Sequence, residues 1–414
     1  MIDRPVYLSG LLRWKDKNGL VKIVTGARRC GKSTLFALFQ NRLRQDGVSD
    51  DRILHINLEL ANNAKLLDWQ TLHNHVEANL AESGTTYVFL DEIQTVADFQ
   101  RAVNSLRLNP KIDLYLTGSN AYMFSNELST LISGRYIEIK MLPLSFKEFL
   151  SAFHSTPEPL DRLFDRYVTF GSFPQTLYFY DRNNETIDAV QWNDYMDSLY
   201  STVIVKDVLS RQGIKEPEKL RRIVRFMFAN VGNETSLNNI SNTLSRENDA
   251  KSGKIHAQTI EKYLECLLDA HVLYKAQPHF LKGKELLRSN AKYYAVDIGL
   301  RHYLIGSADA GAVLENIVYL ELLRRGYKVE TGKIGNREVD FVATRAGGEL
   351  EYYQVSQSVI DQETLKRELA SLQAVNDNYP KYLLTRDYST ANYEGIRHLN
   401  VLQWLAEKDE ARAS

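Results

Sequence analysis

The chain has 414 residues, 44% hydrophobic and 25% charged, a composition that fits a globular protein of two to four domains. Its net charge of −1 excludes a protein coated in positive charge, though not a local basic face, and no apolar run approaches the roughly 20 residues that span a bilayer. Cys30 and Cys266 provide no disulfide framework and the opening M-I-D-R-P-V-Y has no signal-peptide core, so the expected compartment is the cytoplasm and no membrane partner is expected.

The apolar stretch Val21 to Val24 predicts a strand, and G-A-R-R-C-G-K-S follows at residues 26–33. A helical pattern comes next, with Leu35, Phe36, Phe39 and Leu43 on one side. Strand, glycine loop and helix together form the setting of a phosphate-binding loop. Backbone N–H groups from Gly26 through Ala27, Arg28, Arg29, Cys30 and Gly31 to Lys32 would curl around a β-phosphate at a helix N-terminus. Lys32 would reach the β- and γ-phosphates, Ser33 would ligate Mg²⁺, and Thr34 completes the nucleotide-lining set. ATP and Mg²⁺ are therefore the expected ligands. Loop amides and Lys32 would also lower the pKa of Cys30 and make it oxidisable; alternatively it is simply a small residue that fits.

A second strand is predicted at Ile53 to Leu58, and a third at residues 86–92, T-Y-V-F-L-D-E. Four apolar residues ending in two carboxylates describe a buried parallel strand that delivers Asp91 and Glu92 at its C-terminal edge. Asp91 would hold Mg²⁺ through water, and Glu92 would act as general base on the attacking water. The strand Asp113 to Leu116 leads into Thr117-Gly118-Ser119-Asn120, where Ser119 or Asn120 could sense the γ-phosphate, or the segment could be a plain turn. Before the strand Tyr136 to Ile139, Arg135 could act as a finger on a neighbouring subunit's nucleotide, or be a surface charge.

Residues 145–205 have helical patterns broken at Gly171-Ser172-Phe173-Pro174. Residues 236–275 read as helix, loop, helix, with Ile260, Tyr263, Leu264 and Leu267 on one face, and strand-like segments follow at 271–274 and 292–296. Two helices and a hairpin make a winged helix, whose second helix would enter a major groove. Lys254, His256, Gln258 and Lys262 begin that helix, and Lys282 and Lys284 lie in the hairpin turn; these are the DNA-contact candidates. Further basic residues cluster at Lys215, Lys219, Arg221, Arg222 and Arg225, and at Arg288 and Lys292. A winged helix serving only as an inter-domain brace is the alternative.

The last third predicts a helix over Val313 to Arg325, strands at Tyr327–Glu330, Glu338–Thr344 and Leu350–Ser356, a helix at about 362–375 and a strand at Lys381–Thr385. This order resembles the core of PD-(D/E)xK nucleases, including archaeal Holliday-junction resolvases. Glu315 and Asp340 match the first two acids of that pattern. Gln354-Val355-Ser356 departs from the third, with an amide for the acid and a hydroxyl for the lysine. Mg²⁺ wants anionic oxygens, so the departure predicts a degenerate nuclease site with little or no cutting.

The opening Y-L-S-G-L-L-R-W-K-D-K-N-G-L-V-K-I-V-T-G-A-R-R-C-G-K-S-T-L, with F-L-D-E-I-Q, L-T-G-S-N, S-G-R-Y, L-P-L-S-F-K-E-F and G-S-F-P, resembles a large group of bacterial and archaeal AAA+-type ATPases, with STAND-like ancestry among them. The likeness implies an α/β fold: a P-loop (AAA+/ASCE-type) core over 1–144, a helical lid over 145–205, a winged helix over 206–298 and a restriction-nuclease-like domain over 299–414. It also implies that the glycine–proline turn, through Pro174, approaches the nucleotide base. The implied activity is ATP hydrolysis by an oligomer that engages DNA, with branched or junction DNA among the forms the likeness implies. The alternatives are an ATP-gated switch acting on a protein partner and an ATP-controlled nuclease.

Overall fold

A computed structural model of the chain describes residues 2–119, 134–153, 158–181, 186–202, 208–209, 216–246, 255–281, 290–307 and 309–407. Two compact units result: Met1–Pro143 with Asp269–His271, and Leu144–Leu268 with Val272–Ser414. Among the described residues no helix is long and apolar enough to cross a membrane.

The first unit is built on strands β1 (Val21–Thr25), β2 (Ile53–Asn57), β3 (Thr86–Asp91), β4 (Ile112–Gly118) and β5 (Tyr136–Lys140). Helices α1 (Pro5–Arg13), α2 (Lys32–Gln45), α3 (Trp69–Ala78) and α4 (Phe99–Leu106) accompany them. Every strand pair is parallel, in the order β2-β3-β4-β1-β5. All residues of β1, β3 and β4 are buried. Covered on both faces, such strands read as near-continuous apolar runs rather than alternations. On one face Ile23, Val88, Leu90 and Leu114 pack with Leu72, Val76, Phe99 and Val103 of α3 and α4. On the other, Phe36 and Phe39 of α2 meet Phe89 and Tyr115, with ring centroids 5.1 and 5.2 Å apart.

Two charges interrupt these apolar strands, and they answer each other. Lys22 of β1 and Asp113 of β4 are both fully buried and form an ion pair. The Lys22 ammonium also donates to the Lys17 carbonyl at 2.9 Å, while Asp113 accepts from the Tyr115 hydroxyl at 2.7 Å and the Asp16 N–H at 2.9 Å. Burial pushes the Lys22 amine below its ordinary pKa, opposed by Asp113.

The second unit begins with α5 (Phe146–Leu150), whose first turn carries a reciprocal cap: Glu148 N–H donates to Ser145 Oγ at 3.0 Å, and Ser145 N–H to Glu148 Oε2 at 2.9 Å. Then come α6 (Leu160–Phe170), a small hairpin of β6 (Tyr180–Asp181) and β7 (Thr186–Ile187), and α7 (Ala189–Leu199). Next follow α8 (Pro217–Ala229), β8 (Glu234–Thr235), α9 (Leu237–Arg246), α10 (Ala257–Asp269), β9 (Leu273–Ala276), β10 (Pro278–Phe280) and β11 (Ala291–Ala295). β11 pairs antiparallel with β8 and β9, while β10 leaves them to pair with a later sheet.

That later sheet has seven strands in the order β10-β12-β13-β14-β15-β17-β16. Its members are β12 (Lys328–Ile334), β13 (Arg337–Thr344), β14 (Leu350–Val355), β15 (Lys381–Thr385), β16 (Ala391–Tyr393) and β17 (Ile396–Asn400), besides β10. Helices α11 (Ile298–Ile305) and α12 (Ala310–Arg324) precede it, α13 (Gln362–Gln373) joins β14 to β15, and α14 (Val401–Ala406) closes the described chain. β10, β16 and β17 were not legible as strands. β17 turns His398 and Asn400 inward, the first meeting Thr385 Oγ at 2.7 Å and the second donating to the Arg386 carbonyl at 3.1 Å, so polar residues occupy the positions an apolar alternation would mark.

Asp113→Ala is expected to leave the Lys22 ammonium buried and uncompensated, at a cost of about 3–5 kcal/mol. Asp113→Leu combined with Lys22→Met should recover most of that loss; urea denaturation midpoints of the three proteins check it.

Candidate active site

Because β1, β4 and β3 are parallel neighbours, their C-terminal ends share one edge, with β4 between the other two. The loop after β1 turns directly into α2. Gly31, at φ 105°, supplies the left-handed residue at the helix start. Gly26, at φ 150°, lies so close to the Met141 carbonyl that a Cβ there would collide with it. The two glycines of the motif are thus required for different reasons, a turn and a close approach.

Lys32 is buried, with Nζ 3.3 and 3.4 Å from the Gly26 and Ala27 carbonyls and 3.5 Å from Glu92 Oε1. Ser33 and Thr34 stand exposed at the first turn of α2. Arg28 pairs with Glu59 at 2.9 Å, and Arg29 is exposed in a left-handed conformation. Cys30 is fully buried, and burial pushes its thiol pKa up, outweighing the nearby Lys32 and Arg4, which agrees with a small residue that fits the loop. The loop cysteine is a packed residue, not an activated thiolate.

The carboxylates at the end of β3 differ in their surroundings. Asp91 is fully buried; its Oδ1 accepts from the Thr117 hydroxyl, and its Oδ2 has no hydrogen-bond partner among the described residues. Glu92 adopts φ 56° and ψ 49°, a strained left-handed conformation for a non-glycine residue. Its N–H donates to Thr117 Oγ at 2.8 Å, so Thr117 ties both acids to β4. Burial opposes the charge of Glu92, but Lys32 and the Gln94 hydrogen bond outweigh it and hold the carboxyl below its usual range. Ser119, next to the end of β4, is buried, and its Oγ lies 3.4 Å from Gln94 Nε2. Lys32, Asp91, Glu92 and Ser119 are thus brought to one place. Asn120 lies outside the described residues.

A buried carboxylate oxygen without a partner is costly unless a ligand completes it. Among the described residues no cluster of three or more His, Cys, Asp or Glu side chains could hold a metal alone. Mg²⁺ needs no such cage where substrate phosphates and water complete its octahedron, and one carboxylate plus the Ser33 hydroxyl fits that donor set.

Arg135 is exposed and immediately precedes β5, where Tyr136 pairs in register with Val21. It therefore sits at the edge opposite the phosphate loop, about 20 Å away at ~3.3 Å per residue. It is out of reach of the phosphate loop of its own chain.

The remaining candidates belong to the second unit. Pro174 is half-buried and opens a turn after Ser172, whose N–H and hydroxyl donate to Asp297 at 2.5 and 2.6 Å. His256, Gln258 and Lys262 are exposed at the start of α10, with Glu261 and Glu265 exposed beside them. Lys254, Lys282 and Lys284 lie outside the described residues. The basic cluster of α8 is less bare than its sequence implies: Lys219 pairs with Glu216, Arg221 approaches Glu218 at 3.9 Å, and Arg222 donates to the Leu244 carbonyl. Lys292 is no surface charge either. It is buried between Glu315, at 3.1 Å, and Glu338.

Glu315 of α12, Asp340 of β13 and Gln354 of β14 do converge. Gln354 Oε1 accepts from the Asp340 N–H at 3.3 Å and its Nε2 donates to Glu368 at 2.8 Å, while Asp340 Oδ2 accepts from the Val355 N–H at 2.8 Å. Burial raises the carboxyl pKa of Glu315, and burial with Glu315 as neighbour raises that of Asp340; Lys292 opposes both shifts. The sequence pattern gives no role to Thr117, Gln94 or Glu368, and marks Lys292 only as one of a basic cluster.

The family model described as an AAA domain matches residues 18–150, and a domain of unknown function (DUF8612) matches residues 161–310. An uncharacterized protein of Haemophilus influenzae is 37% identical over 413 residues, covering 98% of this chain and 99% of its own. An uncharacterized protein of Methanocaldococcus jannaschii is 30% identical over 400 residues, covering 91% and 84%. Among solved structures, a Walker-type ATPase of Pyrococcus abyssi is similar in fold, with a TM-score of 0.51 at 15% identity over 73% of this chain and 96% of that one.

Thr117→Val is expected to leave the Glu92 N–H and Asp91 Oδ1 unsatisfied and to cost ~1–3 kcal/mol, read as a lower urea midpoint.

Proposed function

This chain belongs to the AAA-domain family of P-loop ATPases, and from that premise we propose that it hydrolyses ATP with Mg²⁺ and couples the reaction to engagement of DNA. The observation that carries hydrolysis is the pairing of Lys32 with Glu92 at 3.5 Å beside the unpartnered Asp91 Oδ2. Loop N–H groups and Lys32 bind the phosphates. The Ser33 hydroxyl and Asp91 would hold Mg²⁺, which would supply neutralisation of phosphate charge there. Glu92, kept ionised by Lys32, takes a proton from the attacking water as its oxygen bonds the γ-phosphorus and the bond to ADP breaks. Ser119 reads the γ-phosphate from the end of β4, with Asn120 the alternative. Arg135, remote from its own loop, serves a neighbouring subunit's nucleotide in a homo-oligomer.

DNA engagement is supported by the order helix, strand, helix, helix and antiparallel strands from α8 to β11, which suits a winged helix with α10 presented to a groove. We take the four-part division as core to residue 144, lid to 205, winged helix to 298 and nuclease-like domain beyond. The last holds nucleic acid without cutting it, because Gln354 and Ser356 stand where an acid and a lysine would be needed and Lys292 already neutralises the acids. A specific observation favours a second possibility, an ATP-gated switch on a protein partner. The exposed face of α10 alternates Glu261 and Glu265 with Lys262, a mixed surface that suits protein at least as well as phosphate.

Lys32→Ala should abolish hydrolysis and most nucleotide binding. Glu92→Gln should retain ATP but lose roughly 10²–10⁴-fold in turnover. With single-stranded, duplex and four-way-junction DNA at low and moderate salt, the wild type should be stimulated by at least one form. Equal rates with every form, and no binding at low salt, would transfer the assignment to the protein switch; normal turnover in both variants would remove the ATPase site.

A further inference from the structure

Gln94 lies in the short 3₁₀ turn after Glu92 and has no assigned role in hydrolysis. Its side chain makes two contacts through one nitrogen. Nε2 donates to Glu92 Oε2, and lies 3.4 Å from Ser119 Oγ. The carboxylate accepts only, so the amide must present its nitrogen to Glu92, and this fixes which way the group is turned. The carbonyl oxygen Oε1 is then left buried without a hydrogen-bond partner among the described residues.

Two unpartnered acceptors therefore belong to consecutive elements of one site, Asp91 Oδ2 and Gln94 Oε1. Buried acceptors of this kind are rare where no ligand completes them. The first is explained by the metal the site would hold. The second needs its own explanation, and the chemistry of water supplies one. An attacking water has two hydrogens. A general base receives one, and the direction of the oxygen lone pair stays undefined until a second acceptor fixes the other.

We propose that Gln94 is a positioning residue for hydrolysis, aiming the Glu92 carboxylate with its amide N–H and holding the second hydrogen of the attacking water on its carbonyl oxygen; this rests on Glu92 acting as the general base. In the step itself the water oxygen bonds the γ-phosphorus and one water proton passes to Glu92. The bond from phosphorus to the bridging oxygen breaks, and its electron pair leaves with ADP. The other hydrogen remains on the new phosphate, having been held by Gln94 during the approach. The contact to Ser119 links this arrangement to the end of β4, so a change there would reach Glu92 through one side chain.

The test uses the full chain. Gln94→Met keeps the length of the side chain and removes both polar ends. It should lower kcat about 10- to 100-fold, the loss expected when a reacting group is misaimed by about an ångström. The KM for ATP and the affinity for a fluorescent ATP analogue should stay within about twofold of wild type, because the phosphate loop is untouched. In a Glu92→Gln background the same substitution should add nothing further, since the two residues act as one unit. Gln94→Asn, one methylene shorter, provides a second variant if the methionine protein does not fold.

Wild-type kcat in a folded Gln94 variant, or a loss of ATP affinity that parallels the loss of rate, overturns the proposal and leaves the ATPase assignment standing. A full additional loss in the Glu92→Gln background overturns it as well, because Gln94 would then act independently of the base. If the wild-type protein hydrolyses no ATP, the assignment of Glu92 fails and this proposal fails with it.

Discussion

Parallel pairing of β1, β4 and β3 is the constraint on which the rest of this molecule depends. Parallel strands put all their C-terminal ends on one edge, so residues distant in sequence arrive together without any of them being adjacent. Lys32 follows β1, Glu92 follows β3, and Thr117 and Ser119 come from the end of β4 between them. An antiparallel partner at any of these positions would send its end to the opposite edge. The Lys22–Asp113 pair lies inside this same β1–β4 contact, where two buried charges are tolerable only because each meets the other.

Burial then sets the chemistry of the edge. Lys32 is held among loop carbonyls and next to Glu92, so positive charge is in place for phosphate. The same ammonium keeps Glu92 ionised despite its burial. Thr117 binds both acids, and the strained backbone of Glu92 persists because neighbouring groups over-determine it. Cys30 shows the opposite outcome in the same loop: without solvent its thiol is pushed away from ionisation, whatever the neighbouring charge.

The second unit repeats the pattern of acids meeting an internal cation. Lys292 reaches from β11 to Glu315 and Glu338, and Lys333 joins Glu338 at 2.9 Å and also Glu234. Charges that look available in the sequence are therefore used within the fold. Among the described candidates the start of α10 stays exposed, and its charge is mixed.

By itself the sequence determined the phosphate loop, the acidic strand end and the five parallel strands, because each rests on local rules: glycine spacing, an unbroken apolar run, a carboxylate at its end. It also marked Glu315, Asp340 and Gln354, which the fold does bring together. Only the tertiary structure decided that Gln94 turns back onto Glu92, that Thr117 ties two acids to a neighbouring strand, and that Lys292 is buried rather than exposed. Those outcomes depend on which strands pair and in what register, and a single polar residue in an apolar run does not reveal its partner. β17 stayed hidden for the same reason, since its inward His398 and Asn400 are polar, while β16 buries no residue and so shows no apolar alternation.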